Sequence, residues 1–292
     1  MMKKRLLSVI LVVCMLCALL PVGLPTAQAA SETDNEKIAT NNADLRTDNN
    51  EGTRLIRSQE TNLGDFTADA LYYLFNETEG LDCDLAVMNG GAIRHNLPQG
   101  DVTYQSCKTV FPFGHAACLM TVSGQQIIDA LEWGARNVGV GESGGFLQVS
   151  GATYEIRSDI PSTVQQDGNI WIGAPTGDYR VQNVKIYDRN LDKYVPIDPE
   201  AKYNLAGYDC ILRDMIDGFN MFDGAVLDKD DVMKDYLVQA NYVKSFPNAT
   251  IEVANSVLGA DYSNIKGEGR IKIVTGQCEH IWDQGETTLA PT

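Results

Sequence analysis

Histidine and positive charge are what this sequence has least of. Three histidines occur in 292 residues, and 23 lysines and arginines face 39 aspartates and glutamates, a formal net charge of −16 at pH 7. That balance disfavours attraction to polyanions, so neither a nucleic-acid polymer nor an anionic lipid surface is expected as a partner. A small anion is compatible with it, because a few converging arginines and backbone amides set the local potential whatever the net charge. His95, His115 and His280 are too few and too scattered for a histidine-rich metal cluster. No metal site, no catalytic set and no cofactor is therefore expected in this chain. Long apolar runs are also scarce. The stretch from Leu6 to Leu20 is short for a membrane span and is followed by Pro21, Gly23 and Pro25, so no stable span is expected. No internal repeat is evident.

What the N-terminus does contain is the pattern of an export signal. Lys3, Lys4 and Arg5 precede that apolar run, and Ala27-Gln28-Ala29 supplies the small residues of a cleavage site. Residues 1–29 are expected to be a signal peptide, and the mature chain to be secreted or held at the cell surface. Removing the three basic residues makes the mature chain more acidic still. Its cysteines, Cys83, Cys107, Cys118, Cys210 and Cys278, are odd in number and irregularly spaced, a poor disulfide framework. Cys83, Cys107 and Cys118 lie among apolar residues and are expected to pack as small hydrophobes.

Residues 30–52 are polar, rich in Asn, Asp, Glu and Thr, and lack apolar periodicity, which predicts a flexible leader. Residues 53–275 are long enough for one large domain with a substantial core. In it, apolar residues at helical spacing predict helices over Phe66–Phe75, capped by Asn62 or Asp65, over Gln125–Arg136, and over Val232–Tyr242 behind the acidic run Asp228–Asp231. Strands are predicted at Leu85–Met88, Val110–Phe113, Ala117–Val122, Phe146–Val149, Ala152–Ile156, Val181–Tyr187, Tyr194–Ile197, Tyr203–Tyr208 and Arg270–Val274, with Asn190-Leu191-Asp192 as a hairpin turn. Helix and strand are thus interleaved, in a fold richer in β structure than a simple doubly wound domain. Residues 276–292 carry a Cys278-x-His280 pair, half of a zinc site at most, and read as a tail or the start of a further module.

Two motifs point to a ligand. Asn89-Gly90-Gly91-Ala92-Ile93-Arg94 follows a buried strand, where paired glycines let backbone N–H groups converge on an anion and Arg94 adds a planar fork suited to phosphate. Phe111-Pro112-Phe113-Gly114 holds an aromatic on a rigid turn beside a glycine, leaving a ring face on which a flat base can stack. Taken singly, a surface Arg after a turn and a core Phe pair would read the same way. Asp209, Asp214 and Asp217 near a turn read as solvated or capping groups rather than as an unassisted hydrolytic set.

Together with Arg57-Ser58-Gln59-Glu60-Thr61-Asn62-Leu63-Gly64, Phe146-Leu147-Gln148-Val149-Ser150-Gly151 and Asp217-Gly218-Phe219, these motifs stand in the order found in the C-terminal domain of the 5'-nucleotidase family, which the segment from Arg54 to Val274 resembles. That family includes UDP-sugar hydrolases and 2',3'-cyclic-nucleotide phosphodiesterases. The resemblance implies an α+β fold of mixed α/β layers, a four-layer α/β/β/α sandwich. It implies a domain that holds a nucleotide or nucleotide-sugar while a separate metallophosphoesterase domain, carrying a divalent-metal pair, hydrolyses it. By position, Arg57 and Arg94 would grip the phosphate, Asn89 and Gly91 would frame the nucleoside, Phe113 would form one wall for the base, and Asp217 would accept from ribose hydroxyls.

The sequence departs from the family pattern at three places. Cys210 stands where the second aromatic wall is usual, with Tyr208 expected to face elsewhere, and Met215-Ile216 replaces a glycine pair before Asp217. No Asp-x-His or Gly-Asn-His-Glu segment is present, so the metal pair is expected on a separate chain or not at all. The resulting expectation is an extracytoplasmic nucleotide-recognition domain of a 5'-nucleotidase-like phosphohydrolase. The alternative is a cell-surface interaction module that keeps the fold without the ligand.

Overall fold

The computed structural model describes residues 34–49, 51–254 and 257–276. The predicted signal peptide, and all of the predicted tail except residue 276, lie outside them. The strands, in chain order, are β1 (Lys37–Asn41), β2 (Leu85–Asn89), β3 (Gly100–Thr103), β4 (Ala117–Ser123), β5 (Leu147–Ser150), β6 (Ala152–Arg157), β7 (Gln165–Asp167), β8 (Ile170–Gly173), β9 (Val181–Asp188), β10 (Lys193–Pro196), β11 (Lys202–Tyr208), β12 (Val226–Lys229), β13 (Thr250–Ile251) and β14 (Ile271–Val274). The α-helices are α1 (Asn62–Tyr73), α2 (Tyr104–Val110), α3 (Gly124–Ala135), α4 (Asp209–Leu212) and α5 (Asp235–Ser245).

Among the described residues the strands form a five-stranded sheet in the order β12-β4-β11-β2-β5, a four-stranded sheet β10-β9-β6-β14, a three-stranded sheet β13-β1-β3 and the hairpin β7-β8. Helix α1 packs on β2 and β5, while α3 packs against β4 and β5 of the larger sheet and β9 of the smaller. The expected mixed α/β architecture is what the chain adopts. Strand β2 is buried at all five positions, which explains its unbroken apolar run, whereas β6 alternates buried and half-buried residues as a one-sided strand does. The chain crosses from one main sheet to the other at Gly151, which has φ +72° and whose missing side chain lets Asp84 O and the Tyr72 ring approach.

Several predicted elements move or change. Residues 37–49 are not a leader: β1 pairs with β3 and β13, and Ala43 and Leu45 are fully buried. The polar residues hid this, because Asn41 and Asn62 spend their side-chain amides on backbone groups of this very segment and its neighbours. The cap of α1 is Thr61, whose Oγ1 accepts from Gly64 N, rather than Asn62 or Asp65. Val110–Phe113 is not a strand. Residues 104–110 form α2 behind a Thr103–Ser106 capping box, and Pro112 ends it in a turn. The last helix begins at Asp235, so the acidic run Asp228–Asp231 precedes it as edge strand and loop. Cys83, Cys107 and Cys118 are buried and free, as expected of small hydrophobes, and Cys210 joins them.

Below α1 lies a buried ion network. Arg270 donates to both oxygens of Asp69, Nη1 to Oδ1 at 2.6 Å and Nη2 to Oδ2 at 2.9 Å, and Nη1 also reaches Val149 O at 3.0 Å. Its Nε donates to Glu268 at 2.8 Å. Asp69 further accepts from Ser150 and Tyr262, and Glu60 accepts from the N–H groups of Gly269 and Ile271. This ties α1, β5 and the start of β14 together.

Candidate functional site

The register of the larger sheet brings the motifs to one end of it. Strands β2 and β11 run parallel, so Asn89 and Tyr208 end at the same edge. Strands β4 and β5 run antiparallel to them, and the pairs Tyr208↔Ala117 and Asn89↔Leu147 place their first residues at that edge too. The loops after β2 and β11 and the loops before β4 and β5 therefore converge, at the carboxyl ends of a parallel strand pair where α/β folds present ligands.

A cavity of ≈ 410 Å³ opens there, lined by all six expected residues, Arg57, Asn89, Gly91, Arg94, Phe113 and Asp217, together with His115, Gly144 and Cys210 among others. Arg57 closes the short 3₁₀ turn Leu55–Arg57. That turn is held by the fully buried Gln148, whose Nε2 donates to Ile56 O at 3.1 Å and Gln59 O at 2.8 Å. Arg57 Nη1 lies 4.0 Å from Glu142, and its Nε is buried without a partner. Arg94 lies with its guanidinium 5.8 Å from the Phe113 ring centre and donates to Gly91 O at 3.2 Å.

Arg54 was not singled out from the sequence, yet it joins this cluster. It donates to Gly90 O, Arg94 O and Ile93 O, and burial, followed by the charges of Arg57 and Arg94, lowers its pKa. Three guanidinium groups thus concentrate positive potential in an acidic chain. The Arg54-x-x-Arg57 spacing was the available signal.

The glycine pair works differently from the expected anion nest. Gly90 N donates to Phe146 O at 2.8 Å and Gly91 N to Gly144 O at 2.7 Å, so neither amide is free for an anion. The glycines are needed for close packing: a Cβ on Gly90 would collide with Ile56 O, and one on Gly91 would sit 2.9 Å from Gly144 O. Gly91 lines the cavity as a thin wall, and its partner Gly144 belongs to a second glycine pair, Gly144-Gly145, one residue ahead of β5.

The aromatic motif divides. Phe111 is core, 2% exposed and 6.2 Å from the buried Tyr208 ring, whereas Phe113 is 55% exposed and presents its ring beside His115 at 5.6 Å. Tyr208 faces the core, as expected, and the cavity is lined by Cys210, Ile211 and Ile216 instead. Burial pushes the Cys210 thiol up to about 12.

Asp217 sits in a strained loop, with φ +61° after Met215 at φ +52°, both in the left-handed region disfavoured for side-chain-bearing residues. Trp133 Nε1 fixes it by donating to Asp217 O at 2.7 Å. Its carboxylate lies 3.5 Å from Asn89 Nδ2, and Asn89, 6% exposed, keeps its Oδ1 without a partner. A buried acceptor of this kind calls for a donor from outside the protein.

His95 is exposed and does not line the cavity. A dinuclear hydrolytic centre would need carboxylates, histidines and an asparagine around two ions. Among the described residues, one group of three or more His, Cys, Asp and Glu side chains comes close enough to share an ion: His115, Asp209 and Cys210. That thiol-bearing set does not fit a metal pair.

Comparison with known proteins agrees with this architecture. The family model of the 5'-nucleotidase C-terminal domain matches residues 37–224. The trifunctional nucleotide phosphoesterase protein YfkN of Bacillus subtilis is 31% identical over 238 residues, covering 80% of this chain and 14% of that protein. A 5'-nucleotidase of Vibrio parahaemolyticus is 30% identical over 195 residues, covering 65% and 32%. The crystal structure of a 5'-nucleotidase precursor from Thermus thermophilus superposes with a TM-score of 0.65 at 26% identity, covering 85% of this chain and 41% of that one. The chain spans less than half the length of each of these relatives. Among the described residues no helix is long and apolar enough to cross a membrane. By the extent of the family match, by its relatives and by its fold, the chain belongs to the 5'-nucleotidase C-terminal domain family.

Proposed function

We propose that this chain is an extracytoplasmic nucleotide-recognition domain of a 5'-nucleotidase-like phosphohydrolase, with hydrolysis supplied by a separate metallophosphoesterase domain. The observation that carries the reading is convergence: all six residues chosen from scattered motifs line one cavity. Arg57 and Arg94 bind the phosphate, backed by the field of Arg54. Phe113 stacks on the base, Asn89 Oδ1 accepts from the nucleoside, and Asp217 accepts from ribose hydroxyls. The export pattern at the N-terminus supports the location.

Because Cys210 and Ile216, and among the described residues no second Phe, Tyr or Trp, line the cavity with Phe113, one-sided stacking makes the base a weaker anchor than the phosphate. The reading is tested by calorimetric titration of the mature chain with AMP, adenosine and UDP-glucose. AMP is expected to bind more tightly than adenosine, and Arg94→Ala is expected to abolish that preference. Absence of binding by all three ligands would instead support the interaction module.

A further inference from the structure

We propose that His115, Asp209 and Cys210 form a mononuclear site for a borderline divalent cation, with Zn²⁺ as the type ion, at the edge of the cavity beside Phe113. The three side chains offer an imidazole nitrogen, a carboxylate oxygen and a thiol sulfur within 4.8 Å of one another. This mixed N/O/S set selects zinc-like ions over magnesium or calcium, which prefer oxygen alone. With metal–ligand distances of about 2.0–2.3 Å, tetrahedral ligands lie roughly 3.3–3.7 Å apart. His115 Nδ1 and Asp209 Oδ1 already stand at 3.4 Å, so binding asks mainly for Cys210 to close in.

The scaffold holds these groups from several sides. His115 N donates to Asp235 Oδ2 at 2.9 Å, and Asp209 Oδ1 accepts from Cys210 N at 2.7 Å. The second oxygen of Asp209 faces Arg213 Nη2 at 3.4 Å, and Arg213 is itself engaged by Asp214 and Asp230. Around Asp209 and Arg213 themselves, the carboxylates of Asp209, Asp214, Asp230 and Asp235 outnumber that one guanidinium.

His115 and Cys210 also line the cavity. Three protein ligands with a fourth position toward an open space is the arrangement of an accessible zinc site rather than a closed structural one. Binding exchanges the Cys210 S–H bond for a metal–sulfur bond and releases that proton to solvent. The site shares the cavity with the proposed nucleotide site through His115 and Cys210, but none of its three ligands is given a hydrogen bond to phosphate, base or ribose.

The test is titration of the reduced mature chain with Co²⁺ alone, read by absorption, followed by displacement with Zn²⁺. A near-ultraviolet thiolate-to-cobalt band with tetrahedral visible bands is expected. It should be lost in Cys210→Ser and His115→Ala, with Zn²⁺ binding weakened on the order of 100-fold or more, and kept in Cys278→Ser. Circular dichroism verifies that each variant is folded, and the cavity-edge His115→Ala decides the matter if Cys210→Ser is not. Absence of the band, its survival in either of the first two variants, or its loss in Cys278→Ser would overturn the proposal. AMP titration without metal reports separately on the nucleotide site.

Discussion

Arg270 and Arg94 are the same residue in two different situations. Arg270 is 7% exposed, meets Asp69 in a two-pronged pair, and spends its remaining donors on Glu268 and Val149. Arg94 is half-buried at a cavity, where its side chain's one hydrogen bond among the described residues goes to the neighbouring Gly91 carbonyl. A buried guanidinium must be fully matched, because an uncompensated charge in the interior is expensive. One at a cavity can keep donors in reserve for a ligand. The contrast teaches that the partner inventory, more than residue type or net charge, separates an arginine that holds the fold from one available for recognition.

The comparison breaks most visibly at Arg270. Replacing it with Met leaves Asp69 buried and uncompensated, and is expected to lower unfolding stability by about 3–5 kcal/mol, measured by denaturant unfolding. Arg94→Ala should leave stability nearly unchanged but weaken AMP binding about 10- to 100-fold, from loss of charged hydrogen bonds worth ~1.5–3 kcal/mol. Equal stability losses in the two variants would erase the distinction. Phe113→Ala is expected to cost about 10-fold in affinity for AMP, through loss of a base-stacking face, with little change in melting temperature because the ring is already exposed.

A pH-dependent effect concerns Asp65, fully buried beside Glu60 and 3.9 Å from Arg270. Burial raises its pKa well above the ordinary carboxylate range, more than Arg270 lowers it. A raised folded pKa means that its contribution to stability is present below the unfolded value of ~4 and is lost as pH rises toward the folded one. Asp65→Asn removes this titration, so the variant should gain on the wild type between pH 4 and pH 7. Unfolding curves at intermediate pH values will show it, and a constant difference would mean that Asp65 stays ionised in the folded chain.

The reach of sequence reading varied with how local the determining physics was. The strand at Leu85–Asn89 and the helix at Gly124–Ala135 were legible because an apolar run or a periodic face encodes burial directly. Helix α2 was not, because its strong local signal is only the Thr103–Ser106 capping box, and the helix it packs on, α5, lies far away in sequence. The segment 37–49 reads as a leader because Asn41 within it and Asn62 beyond it bond to backbone groups brought together by folding, which composition cannot register. At the site, ordered motifs identify the lining residues, Arg54 has only the weak Arg54-x-x-Arg57 spacing as a signal, and the His115–Asp209–Cys210 group emerges only from proximity.

The sequence by itself determined the acidic balance, the mixed α/β pattern, the family resemblance and the identity of the candidate ligand-facing residues, since these rest on composition, short-range periodicity and motif order. Only the tertiary structure decided what those residues do for one another. It showed that the Gly90 and Gly91 amides are taken by carbonyls, that Phe111 is core while Phe113 is open, and that the loops flanking four strands meet. Those outcomes depend on strand register and on pairings between residues distant along the chain, and no local sequence signal fixes either.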